Sequence, residues 1–411
     1  MGSQQTGAHN NMNSVLNYPH LGIFILAWFI ADLFIPLLIR LGHKLQVLDR
    51  PGGHKGQATA VPFFGGIGIF VAFAVSLFSV LRFESIESFM PLMGMLLGGS
   101  VVVALGLIDD HRPIRATTKL CALFAITCML STFGVHLDLF PPVFYGIPNM
   151  LITLLWIVGA TSAMNSIDNT DGVATGLTAI AGAFVFVIAW GHTIEDAQPW
   201  LSYIAVGLVG ACLGMLRYNF RPAKIYLGDN GSFFIGYMLA VLLVFAQYST
   251  SPIKAILIPG MILSVPIFDI IVCTFFRYRD EEVKSFKEAV LYCGQDHTAH
   301  LLMGLGLSKA KTTLSLYALG ICGGITGLMI RAAESNLACL AIAGIYLTFL
   351  TALAVLLGRA RPYVLAQQKK DKADGLSSAS TINWEDIEKI KEGTPLTAST
   401  SNEAAPTKTK Q

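Results

Sequence analysis

Long apolar runs separated by short polar stretches set the pattern of this chain. Eleven runs stand out, at roughly 21–41, 62–81, 91–108, 117–134, 149–164, 174–191, 200–216, 231–248, 253–276, 310–330 and 336–358. Each is close to the length of about 20 residues that carries a helix across the hydrocarbon of a bilayer. Lipid offers no partner to an unpaired backbone amide or carbonyl, so the runs are expected to be helices. The pattern therefore predicts an all-α, polytopic integral membrane protein with about 11 (10–11) transmembrane helices. Residues 1–20 form a polar leading segment, 21–358 the membrane unit and 359–411 a polar tail whose Ser, Thr, Lys and Glu content is that of a disordered segment. Within the tail, Asn383 to Gly393 has the capping residues of one short helix.

Composition agrees. The chain of 411 residues is 54% hydrophobic and only 13% charged, against about 25% charged in soluble domains. The net charge of +2 says little about partners, but the lack of a basic, aromatic-interleaved stripe argues against a nucleic-acid partner. Cysteines lie mostly in apolar runs and form no CxxC pair, as expected of small packing residues.

The basic residues orient the runs. Arg40, Lys44, Arg50, Lys55, Arg112, Arg115, Lys119, Arg217, Arg221, Lys224, Arg277, Arg279, Lys284, Lys287, Lys309 and Lys311 flank one set of connections; Arg82, Lys254 and Arg331 flank the other. Sixteen against three puts the first set in the cytoplasm, the N-terminus outside and the C-terminus inside. The expected location is the inner (plasma) membrane.

The same side carries the polar chemistry. "GLIDDHRPIRATTKL" (106–120), "NSIDNTDG" (165–172), "RYNFRPAKIYLGDNGS" (217–232), "GQDHTAHLL" (294–302) and "DRPGGHKGQATAVPFFGG" (49–66) hold nearly all the carboxylates, histidines and amides. A carboxylate at the edge of hydrocarbon costs a few kcal/mol and is kept mainly for function. Asp109, Asp110, Asp168, Asp171 and Asp229 all stand at such edges. Adjacent acids repel unless a cation relieves them, and oxygen ligands without a Cys–His set favour Mg2+ over Zn2+. Lys55, Lys119, His297 and His300 can neutralise further phosphate charge. The pattern suggests one active site at the inner face. Asp32 and Asp269, the acids deep within runs, are expected to pair inside the bundle.

Taken together and in this order, the motifs resemble the polyprenyl-phosphate N-acetylhexosamine-1-phosphate transferase family (glycosyltransferase family 4) over about residues 21–358. The Asp109–Asp110 motif with Lys119, the Asn165–Asp168–Asp171 motif, the "PAKIYLGDNGS" block and the "DHTAHLL" histidine motif each match a family signature. The resemblance implies transfer of a sugar-1-phosphate from a UDP-sugar to undecaprenyl phosphate, releasing UMP and initiating a cell-envelope polysaccharide. It implies Asp109, Asp110, Lys119 and Asp168 as catalytic residues. Lys55, Asn165, Asp171, Asn219, His297 and His300 would bind substrate, with Asp171 facing the uracil. Asp229 and Asn165 would hold Mg2+, or Mn2+ as the alternative. The implied partners are a UDP-N-acetylhexosamine, undecaprenyl phosphate, membrane lipid and, as one oligomeric arrangement, a second copy in a homodimer.

Ser162, Gln57 and Leu301 depart from residues common in the family, and only two histidines stand where the phospho-MurNAc-pentapeptide translocase has three. That favours the UDP-GlcNAc branch over the pentapeptide branch. The acceptor phosphate has a second pKa near 6, so roughly 90% is dianion at pH 7. Positioning and electrostatics are therefore expected of Asp109 and Asp110 rather than deprotonation. The competing classes, a transporter or an intramembrane protease, would need broken facing helices or a mid-membrane acid pair.

Overall fold

The computed structural model describes residues 19–49, 60–80, 86–137, 139–140, 146–190, 199–246, 251–280, 283, 285 and 296–373. Helix α1 (His20–Leu45) leads into a short antiparallel ribbon of β1 (Leu48–Asp49) and β2 (Val61–Pro62), with Leu48 opposite Pro62. Seven helices follow: α2 (Gly65–Val80), α3 (Ile86–His111), α4 (Ala116–Thr132), α5 (Ile147–Ile167), α6 (Val173–Trp190), α7 (Pro199–Asn219) and α8 (Gly228–Phe245). The chain ends with α9 (Pro252–Ile262), α10 (Ser264–Arg279), the short α11 (Thr298–Gly304), α12 (Lys309–Ala332) and α13 (Asn336–Ala373).

Each expected apolar run falls on a helix, and the protein is a polytopic all-α membrane protein. Among the described residues eight helices are long and apolar enough to cross a bilayer, or nine if α9 and α10, bent by 79°, form one broken span. Pro259 and Pro266 flank that bend, and a proline gives its helix no amide bond to continue through. The remaining two runs are α2 and α4, of 16 and 17 residues, which at 1.5 Å per residue fall short of a bilayer core of about 30 Å. α13 passes residue 358, where the membrane unit was expected to end, and runs to Ala373. The Asn383–Gly393 segment lies outside the described residues.

Helix α1 shows the logic of a lipid-facing element. Leu21, Ile25, Phe29, Leu33 and Leu37 are exposed at four-residue spacing, while Ile23, Ala27, Ala31 and Ile35 are wholly buried. Both faces are apolar, so the outward one suits hydrocarbon rather than water. The inward face packs on α7 through a Gly210–Gly214 pair. A Cβ at Gly210 would stand 2.5 Å from the Phe24 carbonyl oxygen, and one at Gly214 2.6 Å from that of Trp28. Small residues at this spacing let two helices approach closely, the main source of helix adhesion in lipid. Helix α8 is the centre of the bundle: every residue from Asn230 to Leu243 is buried, packed by α2, α3, α5, α6 and α7.

The acids within spans find partners, as expected. Arg217 of α7 donates to both oxygens of Asp32, at 2.8 and 3.0 Å. Asp269 of α10 meets His297 and the Thr298 amide.

Close packing of α1 on α7 makes a prediction. Gly214→Leu should lower the melting temperature in detergent by more than about 5 °C, because the helices must separate. Gly159→Ala, at a position with open space around it, should leave it unchanged. Equal melting of both variants would contradict the packing.

Candidate active site

Helix α8 starts with no side-chain cap of its own, which leaves its first amides without intrahelical partners. The cap comes from α3. Asp110 Oδ1 accepts from the Asp229 amide at 2.8 Å, and Oδ2 accepts from the Asn230 amide at 3.1 Å and from Asn230 Nδ2 at 2.7 Å. A carboxylate at a helix N-terminus is favoured by the dipole as well as by these charge-assisted bonds. Gly106, one turn earlier on the same face of α3, makes room: a Cβ there would lie 2.4 Å from the Asn230 nitrogen. Gly228 holds φ at +73°, a conformation glycine adopts without steric cost.

Asn230, fully buried, extends the junction. Its Nδ2 donates to the Phe63 carbonyl at 2.8 Å, and its Oδ1 accepts from the Ile67 amide at 3.2 Å. Backbone bonds from Tyr226 to Pro62, Gly65 to Tyr226 and Gly66 to Leu227 fasten the β ribbon to the same place. Asn230 stands inside the "PAKIYLGDNGS" block but is not among the site residues that the resemblance implies.

Around that junction stand the other acids. Asp109 Oδ1 accepts from the Ile114 amide at 2.8 Å, and its Oδ2 pairs with Lys119 of α4. Lys119 Nζ is also 3.9 Å from Asp229 Oδ2 and 5.2 Å from the centre of the Phe233 ring. Lys119 thus links the Asp109 and Asp229 carboxylates. From the end of α5, Asn165 Nδ2 donates to Asp229 Oδ1 at 2.9 Å and to Ser232 Oγ at 2.8 Å. The structure thus brings together Asp109, Asp110, Lys119, Asn165 and Asp229 from four helices.

The group fits a hard divalent cation. Asp109 and Asp229 share one ammonium, that of Lys119. Their donors are carboxylate oxygens, the set Mg2+ prefers. Asp110 differs: both its oxygens are engaged by α8, and its part is to hold Asp229 in place. Asn165 turns its nitrogen to Asp229, which makes it a carboxylate-orienting group in this arrangement.

Asp168 and Asp171 occupy the turn between α5 and α6. The Asp168 amide bonds the Asn165 carbonyl at 3.3 Å. Asp171 Oδ2 accepts from the Ala223 amide at 3.4 Å, and its carbonyl accepts from Thr313 of α12. Burial, then the charges of Asp171, Asp49 and Asp168, raise the Tyr226 phenol above its usual range, so these acids share one neighbourhood. Asn219 is buried; its Oδ1 accepts from Thr175 at 2.9 Å and its Nδ2 donates to the Ile225 carbonyl at 3.0 Å. Its polar groups brace the chain leading into α8. Lys55 lies outside the described residues.

His297 and His300 belong to a cluster built on α10, α11 and α13. His297 Nδ1 is 2.8 Å from Asp269 Oδ2. Burial opposes charge on this imidazole, but the Asp269 carboxylate outweighs it and the His297 pKa is raised. Burial pushes His300 down to about 4, which leaves it neutral near pH 7. Asp269, Cys273 and His297 could also converge on a metal. Arg277 Nη2 stands 3.5 Å from His297 Nε2, however, and a guanidinium beside the site disfavours a cation. Asp296 and Arg361, which complete the cluster with Arg277, were not singled out in the sequence; the arginines just past the last apolar run, Arg359 and Arg361, were the available signal.

Comparison with known proteins places these features in a family. Residues 92–247, which run from α3 through α8, match the model of Glycosyl transferase family 4. A Bacillus subtilis protein named "Probable undecaprenyl-phosphate N-acetylglucosaminyl 1-phosphate transferase" is 28% identical over 316 residues, covering 75% of this chain and 84% of its own length. A "Decaprenyl-phosphate N-acetylglucosaminephosphotransferase" of Mycobacterium tuberculosis is 29% identical over 67% of this chain and 74% of its own. A "Phospho-N-acetylmuramoyl-pentapeptide-transferase" of Clostridium botulinum is 25% identical over 73% and 92%. The family match spans the very helices that build the carboxylate centre, and over them the chain is similar to glycosyl transferase family 4.

Proposed function

We propose that the protein transfers N-acetylhexosamine-1-phosphate, in the first instance GlcNAc-1-phosphate, from a UDP-sugar to undecaprenyl phosphate at the cytoplasmic face of the membrane. The observation that carries this reading is the gathering of Asp109 and Asp229 on Lys119, with Asn165 bonded to Asp229. Joining two phosphate anions is the barrier in such a reaction, and positive charge placed beforehand lowers it. Asp109 and Asp229 would hold Mg2+, which supplies Lewis-acid neutralisation of the phosphates. Lys119 adds a fixed cation within reach of both acids. Asp110 holds Asp229 by its backbone, and Asn165 orients the Asp229 carboxylate. Asp168 and Asp171, in the turn after Asn165, would serve the nucleotide end, and His297, whose pKa the Asp269 carboxylate raises, suits a phosphate.

A cavity of about 720 Å3 supports the lipid half of the reading. It lies between the bent α9–α10 pair and α13, with walls that include Ile256, Phe268, Ile271, Phe275, Leu350 and Val355. Arg279 and Arg359 are its basic lining residues. An apolar trough with cationic groups suits an isoprenoid chain that carries a phosphate.

Asp229→Asn keeps the shape of the side chain and removes its charge. Mg2+-dependent UMP release should fall at least about a hundredfold, while the melting temperature stays near that of the parent. Near-normal turnover with unchanged Mg2+ dependence would overturn the assignment of Asp229.

Donor choice gives the broader test. A site that bonds an acetamido group leaves its buried polar groups unpaired with plain UDP-glucose, a penalty of several kcal/mol. Purified protein with undecaprenyl phosphate should release UMP from UDP-GlcNAc or a close epimer and scarcely from UDP-glucose. Turnover of UDP-MurNAc-pentapeptide alone would assign the protein to the pentapeptide branch instead.

A further inference from the structure

The last helix carries a wholly buried arginine. Arg361, at 0% exposure, is among the largest fully buried side chains in the protein. A guanidinium at such depth is tolerated when its partners are complete and charged. Arg361 Nη1 pairs with Asp280, and Nη2 donates to Asp296 Oδ2 at 3.1 Å. Its guanidinium also lies 5.8 Å from the centre of the Phe276 ring.

These two acids are not neighbours in sequence. Asp280 caps the end of α10, and Asp296 stands two residues before the start of α11. The chain therefore leaves α10 and arrives at α11 on the same guanidinium. Asp296 is held a second time by Arg277, whose Nε and Nη2 donate to its two oxygens at 2.8 and 2.7 Å. The residue after Asp296 is His297, whose ring faces Asp269; the next amide, of Thr298, donates to Asp269 Oδ1 at 2.7 Å. One link thus runs from α13 through Asp296 to the motif histidine.

We propose that Arg361 is a positioning residue for the histidine motif: by joining Asp280 and Asp296 it fastens both ends of the α10–α11 connection to α13 and so sets where His297 stands. The proposal rests on the reading that His297 serves the UDP-sugar. Arg277 by itself can hold the Asp296 carboxylate to α10, but among the described residues Arg361 is what ties it to the last helix and to Asp280. Without that tie, His297 keeps its Asp269 partner and loses the fixed main chain beneath it. A binding group displaced by about 1 Å loses much of its worth to a ligand.

The test uses the full chain in nanodiscs with undecaprenyl phosphate, and reads UMP release against donor and acceptor concentration. Arg361→Met should raise the KM for UDP-GlcNAc about tenfold with kcat near that of the parent. Arg361→Lys keeps the charge but cannot serve both acids at once, and should recover part of the loss. In a His297→Ala background, adding Arg361→Met should cost less than about twofold more, because the two act through one group. A lower kcat at unchanged donor KM, or a full multiplicative effect on top of His297→Ala, would overturn the proposal. If Arg361→Met does not survive extraction, Asp296→Asn weakens the same link and must show the same donor-KM split. Hydrogen exchange provides an arm that needs no substrate: amides of residues 296–304 should exchange faster in Arg361→Lys, with α5–α8 unchanged. Unaltered exchange there would refute the fastening even if no UDP-sugar were turned over, an outcome that would separately remove the donor reading.

Discussion

The carboxylate of Asp110 lying on the open amides of α8 is the constraint around which the active centre is arranged. A charged hydrogen bond contributes about 1.5–3 kcal/mol, and here three donors converge on one side chain. The bond fixes the end of α3 against the start of α8, where Asp229 is the second residue. Asp109, adjacent to the cap, is thereby gathered with Asp229 on Lys119. Two neighbouring acids on one helix thus divide the work: one holds the frame, and the other faces outward from it.

The rest of the bundle shows why that outward face stands apart. Elsewhere charges near the membrane interior are matched within the protein: Asp32 by Arg217, Asp269 by His297, Asp296 by Arg277 and Arg361. Breaking a buried pair leaves an uncompensated charge and is costly. At the α3–α8 junction the matching is incomplete, because Asp109 and Asp229 share Lys119. An anionic pair held rigidly by packed helices and relieved by one ammonium is suited to an added cation and the phosphates it brings.

Much of this was legible in the sequence. The apolar runs marked the helices because lipid permits little else, and the motifs at their ends marked the site because a carboxylate there needs a reason. The grouping of Asp109, Lys119, Asn165 and Asp229 followed from motif order and from the charge asymmetry that put them on one side. What stayed hidden depends on helix rotation and contact over long sequence distances. Nothing local to "IDD" tells that Asp110 faces a helix terminus while Asp109 faces Lys119. Asn219, which the resemblance offers to the substrate, is a buried amide bonded to Thr175 and the Ile225 carbonyl. The α9–α10 bend was hidden inside a single apolar run, and Arg361 acts on residues more than sixty positions earlier.

The central claim is that Asp109 and Asp229 together form a hard-oxygen cation site. Mn2+ binding to the full chain in detergent, followed by electron paramagnetic resonance, tests it most directly. The account predicts about one Mn2+ per chain, displaced by Mg2+ as oxygen ligands allow. Binding should be lost in both Asp109→Asn and Asp229→Asn and kept in Asp269→Asn. Undiminished Mn2+ binding in the first two variants, or its loss in the third, would contradict the account.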